Sequence, residues 1–339
     1  MAFPTRRVGK TSLQVPVLGF GTAPLGGMFE AVDGVEGIAS LDAALCAGMT
    51  YVDTAPYYGF GLSERRVGDA IRGKTYQLST KVGRLLVPGS TEQAAAMGWP
   101  DPLPFHPVFD YSYDAIMRSF EDSLQRLGLD RIDMLLAHDI GEMTHGDQHQ
   151  RHFQALATGG YNALEELRQS GQVKAIGLGV NEAQVCRDAL SIGDWDVFLL
   201  AGRYTLLEQD PLDDLIPECV ERDVSLIVGG PFNSGIMVGG DTWNYAAAPA
   251  PVRTRVQQLA EVCAEFDVPL AAAALQFPLA HKAVASVIPG LRTRAELAQT
   301  LKWARCEIPE ELWLALKNRD LLHPDAPTPS TSPYLNPAS

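Results

Sequence analysis

Eight short runs of β-branched and aliphatic residues recur along this chain, each followed by a longer segment whose apolar residues return at helical spacing. No other feature constrains the fold as strongly, because it is the pattern of parallel strands joined by crossover helices. The strand candidates are Val17 to Gly21, Thr50 to Asp53, Gln77 to Lys81, Met134 to His138, Ala175 to Gly179, Val197 to Ala201, Ser225 to Val228 and Ser286 to Ile288. Between them, Ile116, Phe120, Leu124 and Leu127 share one helical face, as do Val256, Leu259, Cys263 and Phe266, while Gly128 and Gly171 stand where helix C-caps belong. Eight such repeats without a linker-like break predict a (β/α)8 TIM barrel as one domain over residues 1–322.

Three segments fall outside the repeats. Arg6 to Val15, with Gly9-Lys10 at its turn, reads as an N-terminal β-hairpin that plugs the barrel floor. Gly83 to Asp110 lacks clear periodicity and follows a strand's carboxyl end, where barrel enzymes carry long substrate loops at the C-terminal face. The tail, residues 323–339, holds five prolines and is expected to be extended and partly mobile.

With 27 basic and 41 acidic residues, the chain has a net charge of −14, which argues against a nucleic-acid face. No apolar run reaches bilayer-spanning length and no signal core follows the first charges, so no membrane partner and a cytoplasmic location are expected. Cys46, Cys186, Cys219, Cys263 and Cys306 are scattered and never form a Cys-x-x-Cys pair; all five read as buried thiols.

Several motifs yield to plainer readings. Gly68 to Thr75 satisfies the Walker A expression, yet Val67, Ala70 and Ile71 form a helix ending at Gly73 ahead of a strand, the reverse of a phosphate loop. Gly19 and Gly21 have Pro24 where a dinucleotide fingerprint needs a third glycine. His145, His149 and His152 with Asp147 lie in polar surroundings and read as a solvated helix start, so no metal is expected. A phosphate-processing barrel would need acidic metal ligands at strand ends, where only Asp53 and Asp139 stand.

The informative set is Asp53, Lys81 and His138, each closing a predicted strand, with Tyr58 in the short loop Thr54 to Gly59; in a barrel these four converge at one mouth. Taken alone, a buried Asp and Lys read as a structural ion pair. Taken together, Asp53-Thr-Ala-x-x-Tyr58-Gly, Ser79-Thr80-Lys81-Val82 and Asp133-Met-Leu-Leu-Ala-His138-Asp resemble the aldo-keto reductase superfamily, and Val173 to Gly177 and Ile288 to Arg292 continue the likeness to the eighth strand. Phe109 to Asp114 and Gly177 to Asn181 are similar to its D-threo-aldose 1-dehydrogenase (L-fucose dehydrogenase) and pyridoxal 4-dehydrogenase branch.

The resemblance implies NAD or NADP as cofactor and a small sugar or aldehyde as substrate, with an aldose such as L-fucose, D-arabinose or L-galactose oxidised at C1 to the lactone. Pyridoxal oxidation, general aldehyde reduction, and a noncatalytic NADP-binding regulatory subunit are the alternatives. Tyr58 is the expected acid/base: its phenol is weakly acidic, and the Lys81 ammonium, held by Asp53, is expected to lower its pKa. His138 is expected to bind the reacting oxygen. By resemblance, nicotinamide lies near Asn181, the pyrophosphate near Phe232, Asn233, Ser234 and Gly235, and the adenosine end near Gly290, Arg292, Arg294 and Glu296. The chain departs from the wider pattern at Ala201, Gly229 and Thr300, where relatives often place glutamine, a ring-stacking tyrosine and asparagine. Arg292 and Arg294 suit a 2′-phosphate and Glu296 a free ribose. Leu25, Trp99, Phe105, Phe109, Trp243 and Tyr245 are expected to shape the substrate mouth.

Overall fold

The computed structural model describes residues 3–95 and 97–334. Its centre is a sheet of eight parallel strands: β1 (Phe20–Gly21), β2 (Tyr51–Asp53), β3 (Gln77–Val82), β4 (Met134–His138), β5 (Ala175–Val180), β6 (Val197–Ala201), β7 (Ser225–Gly229) and β8 (Val284–Ile288). Each strand pairs with the next in sequence order. The ends meet through Gly19 N–H to Val287 O at 3.0 Å, Val287 N–H to Val17 O at 2.9 Å and Gly21 N–H to Pro289 O at 2.9 Å, which closes the barrel. All eight expected strands are present, with ends shifted by a few residues.

The strands read as nearly continuous apolar runs because both faces are buried. Along β4, Met134 and Leu136 join the barrel interior with Tyr51, Ala175, Leu199 and Ile227, while Leu135 and Ala137 pack outward under the helices. The expected hairpin pairs Thr5–Arg7 with Gln14–Pro16 and sends Val8, Leu13 and Val15 into that interior cluster, closing the floor. The Walker-like segment forms the helix Leu62–Ile71, followed by left-handed Gly73 and then β3. Gly68 lies inside this helix against the next one, where a side chain would overlap the Leu127 carbonyl.

Three expectations are corrected. Residues 83–110 are not one irregular loop: Arg84–Pro88 pairs antiparallel with Phe105–Phe109, and Thr91–Ala95 is helical between them. The excursion between the strands, with its prolines, hides the period-2 signal. The tail is docked as far as Tyr334, whose hydroxyl donates to Leu275 O at 2.6 Å, with Ser332 Oγ on Ala304 O at 2.6 Å; residues 335–339 lie outside the described ones. Of the cysteines, all free, Cys186, Cys219 and Cys263 are buried, but Cys46 at a helix end is exposed and Cys306 partly so. No single helix among the described residues is long and apolar enough to cross a membrane.

Candidate active site at the carboxyl mouth of the barrel

The parallel register brings the ends of β2, β3 and β4 to one rim. Lys81 Nζ donates to Asp53 Oδ2 at 2.7 Å and to Thr54 O at 2.9 Å, while Ser79 Oγ donates to Asp53 Oδ1 at 2.6 Å. The Asp53 and Lys81 side chains are almost wholly buried. Lys81 Nζ stands 4.8 Å from the centre of the Tyr58 ring, and the Tyr58 and His138 rings meet edge to face at 5.9 Å. All four expected residues are therefore together.

Tyr58 is held there by backbone. The loops after β1 and β2 touch at Gly26 and Gly59: a methyl on Gly26 would lie 2.5 Å from the Tyr58 carbonyl carbon, and Gly59 has φ +64. Only glycine fits such an approach at such a φ. Trp99 leans on the Tyr58 ring at 6.0 Å and on Tyr57 at 5.5 Å, and with Phe60 and Phe105 makes one wall aromatic.

The electrostatics reverse one expectation. Burial first, then Asp53 and Asp139, push the Tyr58 phenol well above its ordinary pKa, against the opposing Arg84 guanidinium. The lowering expected from Lys81 does not set the direction, because burial and the two carboxylates push the other way. Burial, Arg84 and Lys81 depress His138, so its imidazole is neutral at pH 7. Burial also raises Asp53, against the pull of Lys81 and Ser79.

Sequence reasoning missed Arg84 as a site residue and weighed Asp139 only as a metal ligand. Arg84 Nη2 donates to Asp139 Oδ2 at 2.5 Å, and Asp139 Oδ2 is 3.5 Å from His138 Nε2. The available signal was position: each is a charged residue one to three places beyond a tetrad member. The histidine group resolves differently from a metal set. His145 Nε2 is 3.0 Å from the Tyr111 hydroxyl and its ring lies 4.2 Å from that of His152, and burial lowers His145 to about 4. Among the described residues no cluster of three His, Cys, Asp or Glu is arranged to hold a metal.

The expected cofactor residues line the rim from β5 to β8. Asn181 follows β5; its amide donates to Asp139 Oδ1 at 3.3 Å and accepts from the Tyr245 hydroxyl at 3.0 Å. Ala201 and Gly229 are register partners at the exits of β6 and β7, so no side chain larger than a methyl stands there. Beyond β7, Phe232 packs on Trp303, and Asn233, Ser234 and Gly235 are all left-handed, at φ 46, 60 and 102. Asn233 Nδ2 donates to Gly202 O at 3.0 Å and Glu208 at 3.2 Å, while its buried Oδ1 has no partner.

At β8, Gly290 lies against Pro24, and both arginines are already engaged. Arg292 pairs with Glu296, which also accepts the Arg292 N–H at 2.6 Å; Arg294 makes a bidentate pair with Glu36. Thr300 is buried. Of the mouth residues, Leu25 is buried, Phe109 lies beside Arg84, and Trp243 Nε1 donates to Glu208 at 2.7 Å. Tyr245 sits at the tip of the small hairpin Thr242–Trp243/Ala246–Ala247 and meets Phe29 at 6.2 Å. Small residues at the exits of β6 and β7, an unpaired buried acceptor and a run of left-handed backbone suit a flat-ringed dinucleotide.

Residues 17–318, the whole barrel, match the sequence profile of the Aldo/keto reductase family. The chain belongs to that family. It is 45% identical to pyridoxal 4-dehydrogenase of Microbacterium luteolum, over 94% of this chain and 97% of that one. It is 37% identical to D-threo-aldose 1-dehydrogenase of a Pseudomonas species, over 94% and 96%. Among solved structures, the holo form of aldo-keto reductase AKR11C1 from Bacillus halodurans superposes with a TM-score of 0.72 at 25% identity, covering 93% of this chain and 96% of that one. This aldo-keto reductase is thus a nicotinamide-dependent oxidoreductase.

Proposed function

We propose that the enzyme oxidises a cyclic hemiacetal to a lactone, with pyridoxal as its preferred substrate type. The aromatic wall of Tyr57, Tyr58 and Trp99 carries this reading, since a flat heteroaromatic ring packs against such faces. The 45% identity to a pyridoxal 4-dehydrogenase supports it. Pyridoxal closes its aldehyde onto the neighbouring hydroxymethyl arm, and an aldose closes onto its own chain, so both present a carbinol carbon bearing a ring oxygen. An aldose such as L-fucose, D-arabinose or L-galactose is the second reading, favoured by the polar Arg84–Asp139 pair beside the rings. Simple aldehyde reduction to the alcohol is a different couple that the same hydride and proton exchange would serve.

Tyr58 takes the hydroxyl proton on oxidation and returns it to the carbonyl oxygen on reduction. Its raised pKa makes the resting group a phenol, ready to donate, and makes its phenolate a strong base when formed. Asp53 holds Lys81 in place beside the ring, and neutral His138 binds the reacting oxygen. Bound nicotinamide supplies the hydride acceptor and, when oxidised, a positive charge at the mouth. Asn181 would hold its carboxamide, residues Phe232 to Gly235 the pyrophosphate, and Gly290, Arg292, Arg294 and Glu296 the adenosine end.

We infer NAD rather than NADP. Both arginines at the β8 exit are paired with carboxylates, and a 2′-phosphate would have to displace Glu296 or Glu36. The enzyme acts on small molecules in the cytoplasm. The test is a panel of pyridoxal, L-fucose, D-arabinose and L-galactose with each dinucleotide, followed by nicotinamide absorbance. Turnover of pyridoxal with NAD at the highest kcat/KM is expected. No turnover of any hemiacetal would overturn the proposal, and turnover confined to the sugars would move it to the second reading.

A further inference from the structure

The Arg84–Asp139 ion pair stands beside the four residues given roles above without being one of them. Arg84 opens a hairpin strand three residues after Lys81. Its side chain is 4% exposed, its guanidinium lies 4.0 Å from the Tyr57 ring centre and 5.3 Å from that of Phe109, and its Nε has no hydrogen-bond partner. Asp139 follows His138 directly, with φ +41. Non-glycine residues rarely adopt that backbone, and where they do the strain is concentrated at functional sites.

This turn lets one carboxylate reach three groups: Arg84 at 2.5 Å, His138 Nε2 at 3.5 Å and the Asn181 amide at 3.3 Å. The Tyr111 hydroxyl holds the same turn from the other side, donating to His138 O at 2.7 Å. Stability is a poor reason for such a pair, because well-packed apolar residues of similar volume usually do as well.

We propose that Arg84 and Asp139 are positioning residues that orient His138 and, by charges of opposite sign, tune the pH dependence of proton transfer at Tyr58. The inference rests on the acid/base reading of Tyr58 given above. The charged and titratable groups that face Tyr58 are Asp53 and Tyr51 from β2, Lys81 from β3, His138 and Asp139 at the end of β4, Arg84 from the hairpin and Tyr245 from the loop after β7. Asp53 and Lys81 are tied to each other in the buried mouth, so the outer pair is the one that can be altered without dismantling that inner contact. Asp139 raises the Tyr58 phenol and Arg84 lowers it, and Arg84 also lowers His138. Removing one partner exposes the other's full charge, so the two neutral variants act in opposite directions on either group.

The experiment is the pH profile of kcat/KM for oxidation, with NAD and whichever of pyridoxal or L-fucose turns over, for wild type, Asp139→Asn, Arg84→Met and Arg84→Lys. Asp139→Asn is expected to move the rising limb down by roughly one pH unit and Arg84→Met to move it up by a similar amount, while Arg84→Lys, which keeps the charge, stays close to wild type. A purely structural pair would lower activity in both variants without splitting the limb. Shifts in the same direction, or none beyond about 0.2 unit, overturn the proposal while leaving Tyr58 in its role if Tyr58→Phe is inactive. Turnover by Tyr58→Phe defeats the underlying reading instead. Should Arg84→Met fail to fold, Asp139→Asn and Arg84→Lys suffice: an unmoved Asp139→Asn, or an Arg84→Lys displaced as far, overturns the proposal.

Discussion

The Lys81 ammonium lies 4.8 Å from the Tyr58 ring centre but 2.7 Å from Asp53 Oδ2, so its charge is directed first at the carboxylate and only then at the phenol. Burial first, then Asp53 and Asp139, keep Tyr58 protonated well above the usual range. Its sign fixes the pH behaviour: the donor form persists through neutral pH and is lost only as pH rises through the elevated pKa. Aldehyde reduction should be flat across neutral pH, whereas oxidation should climb steadily with pH. Steady-state profiles in both directions check this, and an oxidation rate that levels off below pH 7 would contradict it.

Lys81→Met should damage folding and chemistry together. It leaves the Asp53 carboxylate buried without its partner, at a cost of about 3 to 5 kcal/mol. Denaturant unfolding of the variant should show that loss, and Asp53→Asn combined with Lys81→Met should recover much of the stability without recovering turnover.

Gly59→Ala tests the backbone that carries Tyr58. At φ +64 and against the Gly26 carbonyl, a methyl forces the loop to move. A displacement of about 1 Å at the reacting group costs roughly 100-fold in rate. A fall in kcat of that order, with the dinucleotide Kd little changed, is expected; wild-type kcat would show that the Gly26–Gly59 contact does not set the tyrosine.

Glu296→Gln and Glu36→Gln release Arg292 and Arg294 from their carboxylates. Each should improve kcat/KM for NADP relative to NAD by roughly fivefold to tenfold. Unchanged ratios in both would place the 2′-position elsewhere.

The eight strands were legible because a strand buried on both faces must be almost wholly apolar, as Met134 to His138 shows. The tetrad was legible because each member ends a strand or follows one closely. What escaped depends on residues far apart in the chain. Arg84 meets Asp139 across 55 positions, and Arg294 meets Glu36 across 258. The Tyr58 acidity was misjudged because the sequence shows the Lys81 charge nearby but not the burial of the ring or the approach of Asp53 and Asp139, which raise it.

The most direct test is single-turnover hydride transfer in Tyr58→Phe, with dinucleotide binding followed by protein fluorescence in the same preparation. A fall of about 10³-fold in the transfer rate with the dinucleotide Kd essentially unchanged is the predicted result. Transfer within tenfold of wild type would mean that the proton travels by another group.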